Sequence, residues 1–395
     1  MTTLAVGKWN AREVVRGALL VGLAGLALVL VGFLIDRRQA AFSYLAAFAF
    51  WLSLALGALI FVMIHHAMNS SWFVVLRRPA EAAAATIPLL ILLFLPILVG
   101  ARELYPWTAS TAELPASLAD AVERKRVYLN LPFFVVRAAL YFSIWSVAAL
   151  LLRRWSLKQE TGDGTAIALR QRTLGAVLLP PVAFALTFAA FDWLMSLTPT
   201  WYSTVFGVYY FAGGALGALT LLAVAAWLLG GTGELAGRIT ASHVHALGKL
   251  ILTFLIFWAY IAFVQLLLIW IADLPEEVGW YWVRMRGGWA AVGWLLVLGH
   301  FLVPLFTLLS REVKRRSATL GAIAVGLLVM HYVDVYWLVL PALHPDGPVP
   351  HWLDLAALAG VGGTTVAYGT RLLGSAPLLP LGDPRLERSL DFKTT

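Results

Sequence analysis

The sequence predicts an all-α polytopic membrane protein with about ten transmembrane helices. Two observations carry that prediction. The 395-residue chain is 61% hydrophobic and only 13% charged, with a mean hydropathy of +0.83, far too apolar for a soluble globular protein. Its apolar residues also gather into windows of about 20, the length that crosses a hydrocarbon core of about 30 Å. A third observation, the absence of cysteine, bounds the chemistry. It excludes a disulfide, a thiolate-ligated iron–sulfur cluster and a c-haem of the CxxCH kind. Any redox centre must then come from partner chains or a diffusible cofactor.

In order, the windows fall at roughly 17–35, 40–66, 80–101, 131–152, 173–194, 203–229, 246–272, 288–309, 319–341 and 352–373. The first follows Lys8, Arg12 and Arg16 as a signal peptide would, but it is about 19 residues long and ends in Asp36, Arg37 and Arg38 without a small-residue cleavage site. It is read as a retained helix. The second window ends on His65 and His66, and the third opens after Pro79 with Glu81 in its first turn. The fifth carries Asp192 near its end. His243, His245 and Lys249 lead into the seventh, His300 lies in the eighth, and His331 and Asp334 lie in the ninth.

Most of the 29 lysines and arginines fall in the two tails and in the alternate loops that begin with residues 67–79. The positive-inside rule therefore puts both termini in the cytoplasm. The net charge of +8 is read as membrane topology, with no nucleic-acid partner. Trp193, Trp201, Tyr202 and the aromatic run at 279–289 sit near helix ends, as an interfacial belt does. The longer loops at 102–130 and 273–287 are either solvated or a docking surface for an external partner.

Asp192 precedes Pro199 by the same spacing that separates Asp334 from Pro341. Windows two to five and six to nine each end on such an Asp-containing helix, which suggests a parallel repeat with its axis along the membrane normal. The chain then divides into residues 1–39 (tail and first helix), 40–202 and 203–351 (two four-helix bundles) and 352–395 (last helix and cytoplasmic tail).

Ionisable groups inside a membrane are costly and point to ion or proton handling. Near the predicted inner face lie His65, His66, Glu81, His243, His245 and Lys249; near mid-depth His300 and His331; in the outer half Asp334, Asp192 and Arg137, with Gln265, Tyr209 and Tyr210 nearby. His331 and Asp334 are one helical turn apart and share a face, so a carboxylate and an imidazole can exchange a proton. Plainer readings stand beside these. The inner histidines can be solvated or capping, Glu81 can offset a helix dipole, Arg137 can simply neutralise Asp192, and the glycines at 213 and 217 can serve close helix packing. Bis-histidine haem ligation by His300 and His331 is the weaker alternative to proton handling.

Four long segments, 65–82 (HHAMNSSWFVVLRRPAEA), 191–214 (FDWLMSLTPTWYSTVFGVYYFAGG), 247–277 (LGKLILTFLIFWAYIAFVQLLLIWIADLPEE) and 331–341 (HYVDVYWLVLP), resemble the NrfD-like, polysulfide-reductase-type membrane subunits, and among them the second large one of bacterial alternative complex III. The resemblance implies ten helices in two related four-helix bundles. It also implies a bacterial inner-membrane complex that oxidises quinol and passes electrons to a periplasmic acceptor such as cytochrome c. The iron–sulfur clusters and c-haems would lie on partner subunits, beside a sister NrfD-like subunit and lipids, with no cofactor bound directly by this chain except possible quinone or quinol.

On that basis His65, His66, Glu81, His245 and Lys249 are expected to form a cytoplasmic half-channel. Asp334, Asp192 and Arg137 would form an outer one, with His331 and His300 between. A second version places a quinone pocket at Asp192, Arg137 and Tyr209, where a carboxylate could act as base. A proton-coupled secondary transporter and a purely structural anchor are the alternatives from other classes.

Overall fold

A computed structural model describes residues 11–231 and 235–394. Lys8, counted in the N-terminal basic flank, lies outside them. The described residues are helical and contain no strand, and nine helices among them are long and apolar enough to cross a membrane. The protein is thus an all-α polytopic membrane protein.

The first two spans are α1 (Arg12–Ile35) and α2 (Arg37–Ala67). Asp36 divides them, accepting a hydrogen bond at 3.0 Å from the backbone N–H of Gln39 as the N-cap of α2. The third span is broken into a 3₁₀ turn, α3 (Arg77–Ala84) and α4 (Ile87–Val99). The break falls just before Pro88, which has no N–H to continue the ladder. A connection that includes α5 (Ala116–Lys125) leads to α6 (Leu131–Lys158) and α7 (Gly164–Trp193). Asn130 and Asp163 cap those two helices with their side chains.

The second half contains α8 (Phe206–Leu229), α9 (Ala241–Ala272) and the interfacial α10 (Pro275–Arg284). The eighth span is α11 (Gly287–Leu295), a π-helical stretch at Leu296–Leu302, and α12 (Val303–Leu309). It is followed by α13 (Ser317–Val339) and α14 (Trp352–Leu373). The tenth expected span, α14, forms a helix of 22 residues but is not among the nine that are apolar enough. Asp354, Arg371 and its Gly and Thr residues dilute it, and it lies along α1 and α2.

Helix α2 is the axis of the molecule, with 89% of its most apolar window buried by protein. It packs against α7, α8 and α14, while α8 in turn packs against α9 and α13. Lipid offers no hydrophobic drive for such contacts, so they depend on close approach and internal hydrogen bonds. The α2–α8 crossing is an instance: a Cβ on Gly57 would stand 2.3 Å from the carbonyl oxygen of Gly214. The Tyr210 hydroxyl donates to the Ala49 carbonyl at 2.6 Å across the same pair.

The loops predicted to share a side do gather at one end of the bundle. Arg77 bonds Ser156, His243 bonds the Ser389 carbonyl and Lys249 bonds Thr394. At the opposite end Trp107 meets Ser196, Trp201 stacks on Trp280, and Trp289 bonds the His344 carbonyl.

Gly57→Val should destabilise the protein by about 1–3 kcal/mol or more, since backbone sits where the new side chain would go. Gly17→Ala, with no neighbour within 4 Å of the new atom, should be neutral or slightly stabilising. Thermal unfolding of the detergent-solubilised variants separates the two outcomes.

Candidate functional site

The polar residues of the spans resolve into three groups rather than one chain. The central group sits where α2, α8, α9, α13 and the π-helical stretch meet. His331 and Asp334 face it from α13, both buried, with His331 Nδ1 at 4.0 Å from Asp334 Oδ2. The Tyr209 hydroxyl of α8 donates to Asp334 Oδ1, and the Trp258 indole N–H of α9 donates to Oδ2 at 3.1 Å. His331 Nε2 lies 2.8 Å from Ser53 Oγ, which donates on to the Phe50 carbonyl at 2.6 Å. No lysine or arginine reaches Asp334 among the described residues; its one ionic neighbour is the imidazole.

His300 completes the group. It is fully buried, its ring 4.1 Å from that of Trp258 and 6.4 Å from that of His331. Neither of its ring nitrogens has a hydrogen-bond partner, nor does His331 Nδ1. The π turn that carries it has a local cause. Pro304, four residues on, can offer no N–H to the His300 carbonyl, and the wider turn lies directly before it. Such π segments recur at functional sites.

The glycines at 213 and 217 have a second purpose here. A Cβ on Gly213 would come within 2.9 Å of His331 Cε1, and one on Gly217 within 2.9 Å of His331 Cδ2. They seat the imidazole as well as the helix. Phe50 packs on a further side of the ring, at 5.4 Å between centroids.

From the central group a polar string continues toward the opposite end. Gln265 Nε2 donates to the Tyr281 hydroxyl at 2.8 Å, and Ser203 Oγ donates to Gln265 Oε1 at 3.1 Å. Arg284, buried beneath the α13 C-terminus, donates to the carbonyls of Trp337 and Leu338 and lies in electrostatic reach of both Tyr281 and Tyr209. Tyr281 and Arg284 escaped the sequence reading because they belong to an aromatic run that looks like an interfacial belt.

Asp192 stands apart from Asp334. It is fully buried and held by Arg137 in a two-point ion pair, Nε to Oδ2 at 2.7 Å and a terminal nitrogen to Oδ1 at 2.9 Å, with the Tyr141 hydroxyl at 2.9 Å from Oδ2. Arg137 also donates to the Tyr128 carbonyl at 2.8 Å and lies over the Tyr128 ring. The expected outer set of Asp334, Asp192 and Arg137 is therefore two separate sites. The same is true of the quinone set: Tyr209 bonds Asp334, while Asp192 and Arg137 satisfy each other. A quinone headgroup finds no shared, free donor set in those three residues.

At the basic end a buried ionic network joins α3, α6 and the C-terminal segment. Arg77 pairs with Glu81 at 3.1 Å and with Asp383; Arg78 pairs with Glu81 at 3.4 Å and with Glu160; Arg385 pairs with Asp383 at 2.7 Å. Ser156 and Gln159 accept from the same guanidinium groups. Burial would raise the Asp383 carboxyl, but the hydrogen bond from Arg385 and the charges of Arg77 and Arg385 outweigh it and hold the group at about 2. Only Glu81 of this network was singled out from sequence. The others lie in stretches that read as loop or tail.

The remaining residues expected at the inner face divide by environment. His66 is buried with both ring nitrogens unpartnered, whereas His65 bonds the Phe61 carbonyl at 2.8 Å among aromatic rings. His243 serves the capping box of α9. His245 is buried with Nδ1 unpartnered. Lys249 is exposed and donates to Thr394 at 3.1 Å, so it leaves the proposed interior group. Nor does α2 carry a polar side chain between the basic end and the centre. From Leu54 to Ile64 every residue is apolar or glycine, a rise of about 18 Å from Ser53 to His65.

Among the described residues no cluster of three or more His, Asp or Glu side chains has metal-binding geometry. No protein-family model and no curated protein matches the chain.

Asp192→Asn should cost about 3–5 kcal/mol, because it leaves the Arg137 guanidinium buried without its counter-charge. Arg137→Met with Asp192→Leu should recover most of that, as detergent-phase unfolding would register. Asp383 behaves as a depressed carboxylate: its contribution is fully present above about pH 4 and is lost as pH falls through about 2. Asp383→Asn should lower stability at neutral pH by roughly 2–3 kcal/mol and flatten that acid limb in a series of melts at different pH.

Proposed function

We propose that this chain is a non-redox membrane subunit of a quinol oxidoreductase, with the His331–Asp334 centre as its proton-handling site. One observation carries the proton role. Asp334 is a carboxyl inside the membrane with no lysine or arginine beside it among the described residues, held by the neutral donors of Tyr209 and Trp258. It can gain or lose a proton without breaking an ion pair. Asp192 cannot, because its protonation would strand Arg137.

His331 is the group with which Asp334 would exchange that proton, directly after a small side-chain rotation or through one water across the 4.0 Å gap. The free nitrogens of His300 extend the set. Tyr209, Tyr281, Gln265 and Ser203 supply the direction toward the opposite end. The basic-end residues, His66 with the Arg77, Arg78 and Glu81 network, would meet protons from the cytoplasm.

The assignment to a quinol oxidoreductase is supported by the resemblance of four long segments to the membrane subunits of alternative complex III and by the lack of cysteine. Quinol oxidation, iron–sulfur clusters and c-haems are assigned to the sister NrfD-like subunit and the periplasmic partners. The bacterial inner membrane and cytoplasmic termini follow from the same resemblance and from the basic end. For the Asp192–Arg137 pair, full mutual satisfaction favours a structural role.

The first test is purification from native membranes in mild detergent. Iron–sulfur and c-haem proteins should accompany the chain, and added quinol should reduce the haem. In the complex reconstituted into liposomes, Asp334→Asn should slow proton-coupled turnover by about tenfold or more, in the range of a lost proton-transfer group. Full proton-coupled turnover in that variant would leave only an anchoring role, and a chain that purifies alone and colourless would remove the respiratory assignment.

A further inference from the structure

Near the basic end of α6 the surface opens into a recess of about 400 Å³ lined by Leu150, Arg153, Arg154, Leu157, Lys158 and Thr161. The spacing explains the grouping. Positions 150, 154, 157, 158 and 161 recur every three or four residues, so they share one stripe of the helix and of the turn that ends it. Along that stripe the chemistry changes with depth. Leu150 is 47% exposed within the apolar span, and Lys158 lies about 12 Å further along the axis, in the last residue of the helix.

Three cations face this recess, and none of them makes a salt bridge among the described residues. Arg153 is buried and anchored to the end of α14 by a bond to Ser375 Oγ at 3.2 Å and another to the Leu372 carbonyl. Both are made by one terminal nitrogen, which leaves donors on the rest of the guanidinium. Arg154 and Lys158 are exposed and have no ion-pair partner among the described residues. The nearest acids in sequence are already engaged: Glu160 pairs with Arg78, and Asp163 caps α7.

We propose that this recess binds an anionic phospholipid of the phosphatidylglycerol or cardiolipin class in the leaflet at the basic end. Arg153, Arg154 and Lys158 hold the phosphate, and the acyl chains run down over Leu150 and the apolar span below it. The vertical order of the lining is the argument for lipid over a partner's acidic segment. A peptide carboxylate would answer the cations but leave Leu150, which lies within the apolar span below them, uncovered. A phospholipid covers both at once, and an anionic headgroup lacks the ammonium that three cations would repel. Basic pockets at this depth are a known mode of lipid-headgroup recognition.

The test is native mass spectrometry of the full-length chain in detergent with added dioleoylphosphatidylglycerol, dioleoylphosphatidylcholine or inorganic phosphate. The wild type should retain phosphatidylglycerol on the order of tenfold better than phosphatidylcholine. The Arg154→Gln/Lys158→Gln double variant should lose that preference, and Lys158→Gln alone should lose part of it. Arg124→Gln/Arg126→Gln, at the opposite end, should keep it. Equal retention of both lipids, or a double variant indistinguishable from wild type, would overturn the proposal. Complete displacement by inorganic phosphate would reduce the recess to a simple anion site and overturn it as well.

Discussion

The contact between α2 and α8 is the constraint on which the rest of the molecule depends. Inside a membrane, two helices gain nothing by hiding apolar surface from each other, so their association needs backbone approach and specific bonds. Gly57 and Gly214 provide the approach, with a would-be Cβ only 2.3 Å from the opposing carbonyl. Tyr210 adds a bond to the α2 backbone. Once α8 lies that close to α2, its next glycines, 213 and 217, face α13 and leave a notch of imidazole size. His331 fills the notch and reaches Ser53 on α2. A larger residue at either glycine would push α13 away and separate His331 from Ser53.

The two aspartates show how environment distinguishes similar positions. Both lie near the end of a span seven residues before a proline, and both are almost completely shielded from solvent. Arg137 gives Asp192 a full counter-charge in two-point geometry, and the pair gains the short, charge-assisted bonds that such forks make. Asp334 receives only hydroxyl and indole donors. In the second half the buried arginine, Arg284, is committed to backbone carbonyls at the end of α13. One half thus holds a closed ion pair, and the other holds a carboxyl able to change its proton count.

The C-terminal segment is structurally part of the basic end. Asp383 and Arg385 enter the arginine network of α3, while Ser389 accepts from the Val75 backbone and offers its carbonyl to His243. This cross-linking brings α3, α6 and α9 together at one end, where their own loops are short of apolar surface. The network and the central His–Asp group are separated by the apolar middle of α2. Any proton traffic between them must follow a route outside the α2 side chains.

The spans were legible in the sequence because hydrocarbon thickness imposes a length and a composition on each one separately. The pairing of loop ends was legible too, since an unbroken series of spans must alternate. His331 and Asp334 could be placed on one face from their spacing alone. Partnership could not be read in this way. That Tyr209 serves Asp334 rather than Asp192, that Lys249 points out of the bundle, and that Asp383 and Arg385 fold back onto Arg77 are contacts between residues far apart in the chain. Position within an apolar window gives an expected depth for a residue but says little about which neighbour it meets, because lipid-facing and protein-facing surfaces are both apolar. The sequence by itself determined the membrane class and the apolar helices. The tertiary structure decided which groups share a site, because close backbone approach at a few glycines sets the helix neighbours.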